Sequence, residues 1–242
     1  MANFVLVHGA WHGGWCYRDT ARALRAAGHN VFTPTHTGVG ARFHQSSSEI
    51  TLDTHVRDVC GVIEAEELDN VILCGHSYGG MVITGVADRL PGKISALVYL
   101  DAFVPGHGDS LIDLINRALP PEVAAGFIGA FRGAALDGGL MQPIPAEAFN
   151  VKPENRAWVE RRCVPQALAT FELPLLLKNP DGDPAIRRVY LLADGWDPSP
   201  FRYFAARCEA LANWRVAKFA CGHDVMVDMP GELAAELLQL AA

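Results

Sequence analysis

Three observations predict an α/β fold with a mostly parallel central sheet flanked by helices. The strand-like segments are continuous apolar runs without polar alternation, as expected of strands covered on both faces. Stretches of helical periodicity separate one run from the next. Half of the 242 residues are hydrophobic and 19% are charged, which excludes a disordered chain and, at this length, allows roughly 70 to 75% of the unfolded surface to be buried.

The elements follow in order along the chain. Phe4 to Val7 is an apolar run ending at His8-Gly9, and Trp15 to Ala27 carries a helical pattern with Gly28 placed as its C-cap. Val31-Phe32 is a short strand stopped by Pro34. Thr51 or Asp53 opens a helix to residue 66, with Val56, Val59, Cys60 and Ile63 on one face. Val71 to Cys74 reads as a strand, Met81 to Leu90 as a helix and Ile94 to Leu100 as a strand. The rhythm then breaks. From Pro105 to Pro184 there is no strand signal, and helical patterns at 109–119, 121–132, 154–163 and 165–172 are divided by Gly133, Gly138-Gly139, Pro143, Pro145, Pro153 and Pro174. Strands resume at Arg188 to Ala193 and Trp214 to Phe219, and a helix from Pro230 to Ala242 closes the chain. The expected division is a core of residues 1–104 and 185–242 with a helical cap at 105–184.

Twenty Lys and Arg against 27 Asp and Glu give a net charge of −7, and no basic run exceeds Arg161-Arg162 or Arg187-Arg188. Neither nucleic acid nor a membrane is an expected partner. Cys16, Cys60, Cys74, Cys163, Cys208 and Cys221 show no C-x-x-C spacing, which suits a reduced, cytoplasmic protein. The apolar N-terminal run is too short for a signal peptide. His8 and His12 form an H-x3-H pair, but the glycine loop between them is no helix and brings no carboxylate, so no metal is expected. The same loop lacks the spacing of a phosphate or dinucleotide loop, and no cofactor is expected.

Chemistry enters at Gly75-His76-Ser77-Tyr78-Gly79-Gly80, which follows a strand directly and opens a helix. In this G-x-S-x-G context Ser77 sits on a sharp, strained turn, and the residues two before and two after it have no room for side chains. The turn lifts the hydroxyl above the carboxyl edge of the sheet and aims the positive end of the next helix at a developing oxyanion. A serine needs a base. His223, in Ala220-Cys221-Gly222-His223-Asp224 between the last strand and last helix, is the histidine expected to serve; His76 reads as packing under the nucleophile.

The segments Phe4 to Trp15, Gly75 to Gly80 and Cys221 to Met226 together resemble the α/β-hydrolase fold family, in the branch of plant methyl-ester esterases, hydroxynitrile lyases and bacterial carboxylesterases. The resemblance implies a cap inserted after the sixth strand of the fold and an oxyanion hole built from the backbone N–H groups of Ala10 and Tyr78. It also implies a serine esterase working through an acyl-enzyme. Lyases of the branch are expected to carry threonine and lysine where this chain has Gly9 and Asp224, and an acidic side chain at 224 would repel an anionic leaving group. Hydroxynitrile cleavage, C–C or lactone hydrolysis and a ligand-receptor role are the alternatives. The third member of the triad is a carboxylate that fixes the imidazole tautomer. Asp101, at the end of the Ile94 to Leu100 strand, is preferred over Asp194, at the end of the next; Asp197 reads as part of a surface turn. Apolar residues of the expected cap, Phe127, Phe131, Leu140, Phe149, Trp158 and Phe171 among them, suit a small to medium hydrophobic or aromatic ester. A homodimer through the cap is compatible with this reading.

Overall fold

Residues 1–136 and 139–241 are described by the computed structural model of the chain. Gly138 and Ala242, named above as a helix breaker and a helix end, lie outside the described residues. The first strand, β1 (Asn3–Val7), leads through a 3-10 turn at Gly14–Tyr17 into α1 (Arg18–Ala26), and β2 (Asn30–Phe32) follows. Gly28 ends the helix region at φ +86, a left-handed conformation for which a residue without Cβ is suited. Thr51 caps α2 (Leu52–Ala65) with a reciprocal Thr51–Thr54 capping box, a feature that contributes about 1 kcal/mol. Then come β3 (Val71–His76), α3 (Gly79–Arg89) and β4 (Ile94–Leu100).

The segment after β4 contains α4 (Leu111–Ala118) and α5 (Pro121–Ala134), the two-residue strands β5 (Ala135–Leu136) and β6 (Leu140–Met141), and a 3-10 turn at Ala146–Phe149. It continues with α6 (Pro153–Glu160), β7 (Gln166–Ala167) and α7 (Ala169–Glu172). The small strands pair antiparallel in the order β5-β6-β7. They correct the expectation of a segment without strands, because two residues are too few to show a period of two. The chain returns with β8 (Arg187–Ala193), α8 (Phe201–Glu209), β9 (Trp214–Phe219), α9 (Val225–Asp228) and α10 (Pro230–Leu238).

The main sheet is parallel throughout in the order β2-β1-β3-β4-β8-β9. Four of its strands precede the inserted segment among the described residues. The burial of β3, in which all six residues are inaccessible, explains its continuous apolar run. Parallel strands direct every carboxyl end to one edge, where ligands of open α/β sheets bind. Gly9, Ser77, Asp101 and Asp194 all lie at or just beyond that edge. Among the described residues no helix is long and apolar enough to cross a membrane.

Candidate active site

The turn after β3 has the backbone that its glycines foretell. Ser77 has φ +54, and a Cβ at Gly75 would come within 2.5 Å of the Gly79 carbonyl oxygen, while one at Gly79 would come within 2.9 Å of those of Val7 and His8. The strained residue is held from both sides: the Ser77 N–H donates to Leu100 O at 3.2 Å, and Phe103 N–H donates to Ser77 O at 3.2 Å.

His223 lies at the end of the loop after β9, with Nδ1 2.6 Å from Asp101 Oδ2. Asp101, itself at φ +41, also accepts from Ala193 N–H at 3.1 Å and from Trp196 Nε1 at 3.0 Å. These donors offset part of the cost of a carboxylate that is fully buried. Burial still pushes the Asp101 carboxyl up to about 7 and the His223 imidazole down to about 4. Burial thus keeps the imidazole neutral, the form that can accept a proton. The ring of Phe201 stacks on that of His223 at 5.0 Å, and Phe149 and Trp196 stand 5.1 and 5.0 Å away.

Asp194 is in a different place. Its side chain is one-third exposed and pairs with Arg202, which also meets the exposed Asp197, and among the described residues it makes no hydrogen bond to His223. The turn around Asp197 is only partly a surface turn, because Trp196 is buried and points inward to Asp101. Sequence reasoning missed Trp196. An indole inside a Gly-Trp-Asp-Pro stretch gives no periodic sign of which way it faces.

Ala10 and Tyr78 both line the same pocket as Ser77 and His223, and among the described residues neither backbone N–H donates to a protein acceptor. No hydrogen bond joins Ser77 to His223, a contact that free enzymes commonly leave long. The loop that bears Ala10 is secured by residues beyond it. Trp11, at φ +62, donates its N–H to Gln166 Oε1 at 2.9 Å and its indole to Met141 O at 3.2 Å. His12 contacts Ala10 O at 2.7 Å and Asp224 Oδ2 at 3.1 Å. His76 does more than pack, since its Nε2 lies 3.0 Å from His223 O. Asp224 is 1% exposed and engaged with His12, so it does not face the pocket as the comparison with lyases supposed.

The pocket beside Ser77 and His223 is walled from two directions. Trp11, Tyr78, Phe103, Trp196 and Phe201 wall it from the sheet side, and Leu111, Ile115, Leu119, Phe127, Phe131, Ile144, Phe149 and Phe171 from the inserted segment. Among the described residues no Asp, Glu, Lys or Arg lines it. Leu140 and Trp158, named from sequence, are not there; Trp158 instead sits against Trp15, Arg18 and Arg162. Among the described residues no cluster of three or more His, Cys, Asp or Glu could hold a metal ion.

Over residues 4–236 the chain matches the alpha/beta hydrolase family. It is 71% identical to a carbendazim hydrolyzing esterase of Nocardioides sp. (strain SG-4G), with 99% of this chain and 100% of that protein covered. Methylesterase 10 of Arabidopsis thaliana is 26% identical over 100% of this chain and 92% of its own length. Among solved structures, an extracellular alpha/beta-hydrolase from a Paenibacillus species superposes with a TM-score of 0.80 at 26% identity, covering 98% of each chain.

Proposed function

The chain belongs to the alpha/beta hydrolase family and is an esterase, and from that premise we propose that Ser77, His223 and Asp101 form its catalytic triad. The observation that carries this reading is the 2.6 Å contact of His223 with Asp101 in a ring that shares its pocket with Ser77. Asp101 holds the proton on Nδ1, which leaves Nε2 free to take the proton of Ser77 as its hydroxyl attacks the ester carbonyl. The Ala10 and Tyr78 N–H groups, without other acceptors, meet the oxyanion of the tetrahedral intermediate. His223 then returns the proton to the leaving alcohol, and water, activated in the same way, releases the acid from Ser77.

The pocket favours a neutral, flat acyl group. It is rich in aromatic faces, and among the described residues no charged side chain lines it to meet an ionised substrate. Carbendazim, a planar benzimidazole bearing a methyl carbamate, has those properties, and we propose aryl methyl esters and carbamates of this size as the substrate class. Residues 105–184 act as the cap over it. Six free thiols favour a reducing compartment, the cytoplasm.

The test is a panel of aryl, alkyl and charged methyl esters with carbendazim included, run beside fluorophosphonate labelling. Labelling and methanol release are expected from the wild type and neither from Ser77→Ala. Equal labelling of the variant defeats the assignment of the nucleophile. A preference for anionic acyl groups defeats the assignment of the substrate class.

A further inference from the structure

His12 aims both ring nitrogens at acceptors. Nδ1 lies 2.7 Å from Ala10 O and Nε2 lies 3.1 Å from Asp224 Oδ2. Neither a carbonyl nor an ionised carboxylate can donate, so a ring that satisfies both contacts carries a proton on each nitrogen. Contacts with Cys163 and Asp224 favour that form, against a burial that by itself disfavours it. The indole of Trp15 stacks on the ring at 5.1 Å with an interplanar angle of 21°, which fixes its plane.

The two acceptors belong to different loops. Ala10 follows β1, and Asp224 directly follows His223 in the loop after β9. The carbonyl that His12 holds is one end of the Ala10–Trp11 peptide, and the other end, the Trp11 N–H, donates to Gln166. That peptide is therefore clamped at both ends. A separate link ties the end of β3 to the same loop, from His76 Nε2 to the His223 carbonyl.

We propose that His12 is a positioning residue for ester hydrolysis: as a two-way donor between Asp224 and the Ala10–Trp11 peptide it locks the loop carrying an oxyanion donor to the loop carrying the base. The inference rests on the roles given above to Ala10 and His223. His12 touches no reacting atom. It sets the direction of the Ala10 N–H relative to the tetrahedral oxygen, so its removal is felt by the transition state and not by the bound ester.

Two substitutions separate its two contacts. His12→Asn can place an amide N–H near the position of Nδ1 and keep the bond to Ala10; His12→Gln reaches Asp224 and loses Ala10. For His12→Gln, kcat is expected to fall about 10²-fold, the effect of a misplacement on the order of 1 Å, with KM unchanged. The inhibition constant of an aryl trifluoromethyl ketone, whose adduct with Ser77 puts an oxygen in the oxyanion position, should rise by the same factor. His12→Asn keeps the bond to Ala10 and loses Asp224, so it cuts the other half of the bridge and should also lose kcat and inhibitor affinity with KM unchanged. Full kcat and inhibitor affinity in either folded variant overturn the proposal, as does a loss confined to KM. Nitrogen NMR of the wild type reads the same point without substitution: two protonated ring nitrogens are expected for His12 at neutral pH, and an unprotonated Nδ1 or Nε2 overturns it. Turnover by Ser77→Ala would instead defeat the reading beneath it.

Discussion

The floor of the pocket, from the carboxyl edge of the sheet, holds Trp11 and Ser77 at positive φ, with Asp101, also at positive φ, buried behind it, and carries the groups proposed to act on the ester. The roof, from the inserted segment, offers Leu111, Ile115, Phe127, Phe131 and Phe171 in ordinary helical backbone, with no charged side chain among the described residues. Strained residues cost about 1 to 3 kcal/mol each. The floor tolerates them because parallel strands and cross-loop hydrogen bonds leave no lower alternative, as the two bonds that grip Ser77 illustrate. Aromatic faces ask only for volume and contact, which helices supply without strain. Fixed direction and adaptable shape are thus drawn from different parts of one chain.

The largest effect expected from breaking the floor is that of Ser77→Ala. Its kcat should fall about 10⁶-fold, as for the loss of a serine nucleophile elsewhere, with the melting temperature unchanged, since the hydroxyl makes no hydrogen bond that the fold requires. Steady-state turnover and a thermal melt check the two halves. Asp101→Asn keeps the shape and removes the charge, and should cost roughly 10⁴-fold in turnover. Asp194→Asn should cost less than about tenfold, being a partly exposed partner of Arg202 whose pairing contributes little. Equal losses would erase the distinction between the two carboxylates.

The roof should respond in another currency. Phe131→Ala should change the ranking of aryl esters by up to about 10²-fold in kcat/KM, the range that shape alone commands in an apolar pocket, while acylation by a very small ester hardly moves. A proportional loss on every ester would mean that the roof acts through the floor. The last effect concerns stability in acid and not turnover. Beneath the floor, burial lowers His8 to about 3 and His55 to about 4, and holds His36 well below its ordinary value. Their folded values lie below the unfolded one, so stability is complete above about pH 6.5 and declines as pH falls toward 4, by about 1 kcal/mol per pH unit for each group. Denaturant melts across that window should show the decline, and His55→Gln should reduce its slope.

What the sequence made legible follows the same division. Apolar runs announced the buried strands β1, β3, β4 and β8, and the glycines around Ser77 announced the turn, because backbone crowding permits no other residue. The pair of candidate acids could not be separated in that way. Asp101 and Asp194 both end buried strands, and what distinguishes them is tertiary: His223 and Trp196 meet Asp101, while Arg202 meets Asp194. His12 was weighed only as a metal ligand, since its partner lies 212 residues away. The two-residue strands β5 to β7 fell below any detectable period, and α8 was missed beside a turn-rich Asp-Pro-Ser-Pro stretch.

Position 9 shows how the neighbouring chemistry of the branch is barred to this chain. A Cβ on Gly9 would stand 2.7 Å from His76 Nδ1 and 3.0 Å from Ser77 Cβ, so the threonine expected of a lyase cannot enter until His76 has changed. Yet His76 holds the His223 carbonyl. A lysine at 224 meets a matching obstacle, because it would set a second cation against His12 in a buried site. Neither substitution is open as a single step. An evolutionary or laboratory path from ester hydrolysis to cyanohydrin cleavage has to pass through paired changes at 9 with 76 and at 224 with 12, and the order within each pair decides whether the intermediate survives.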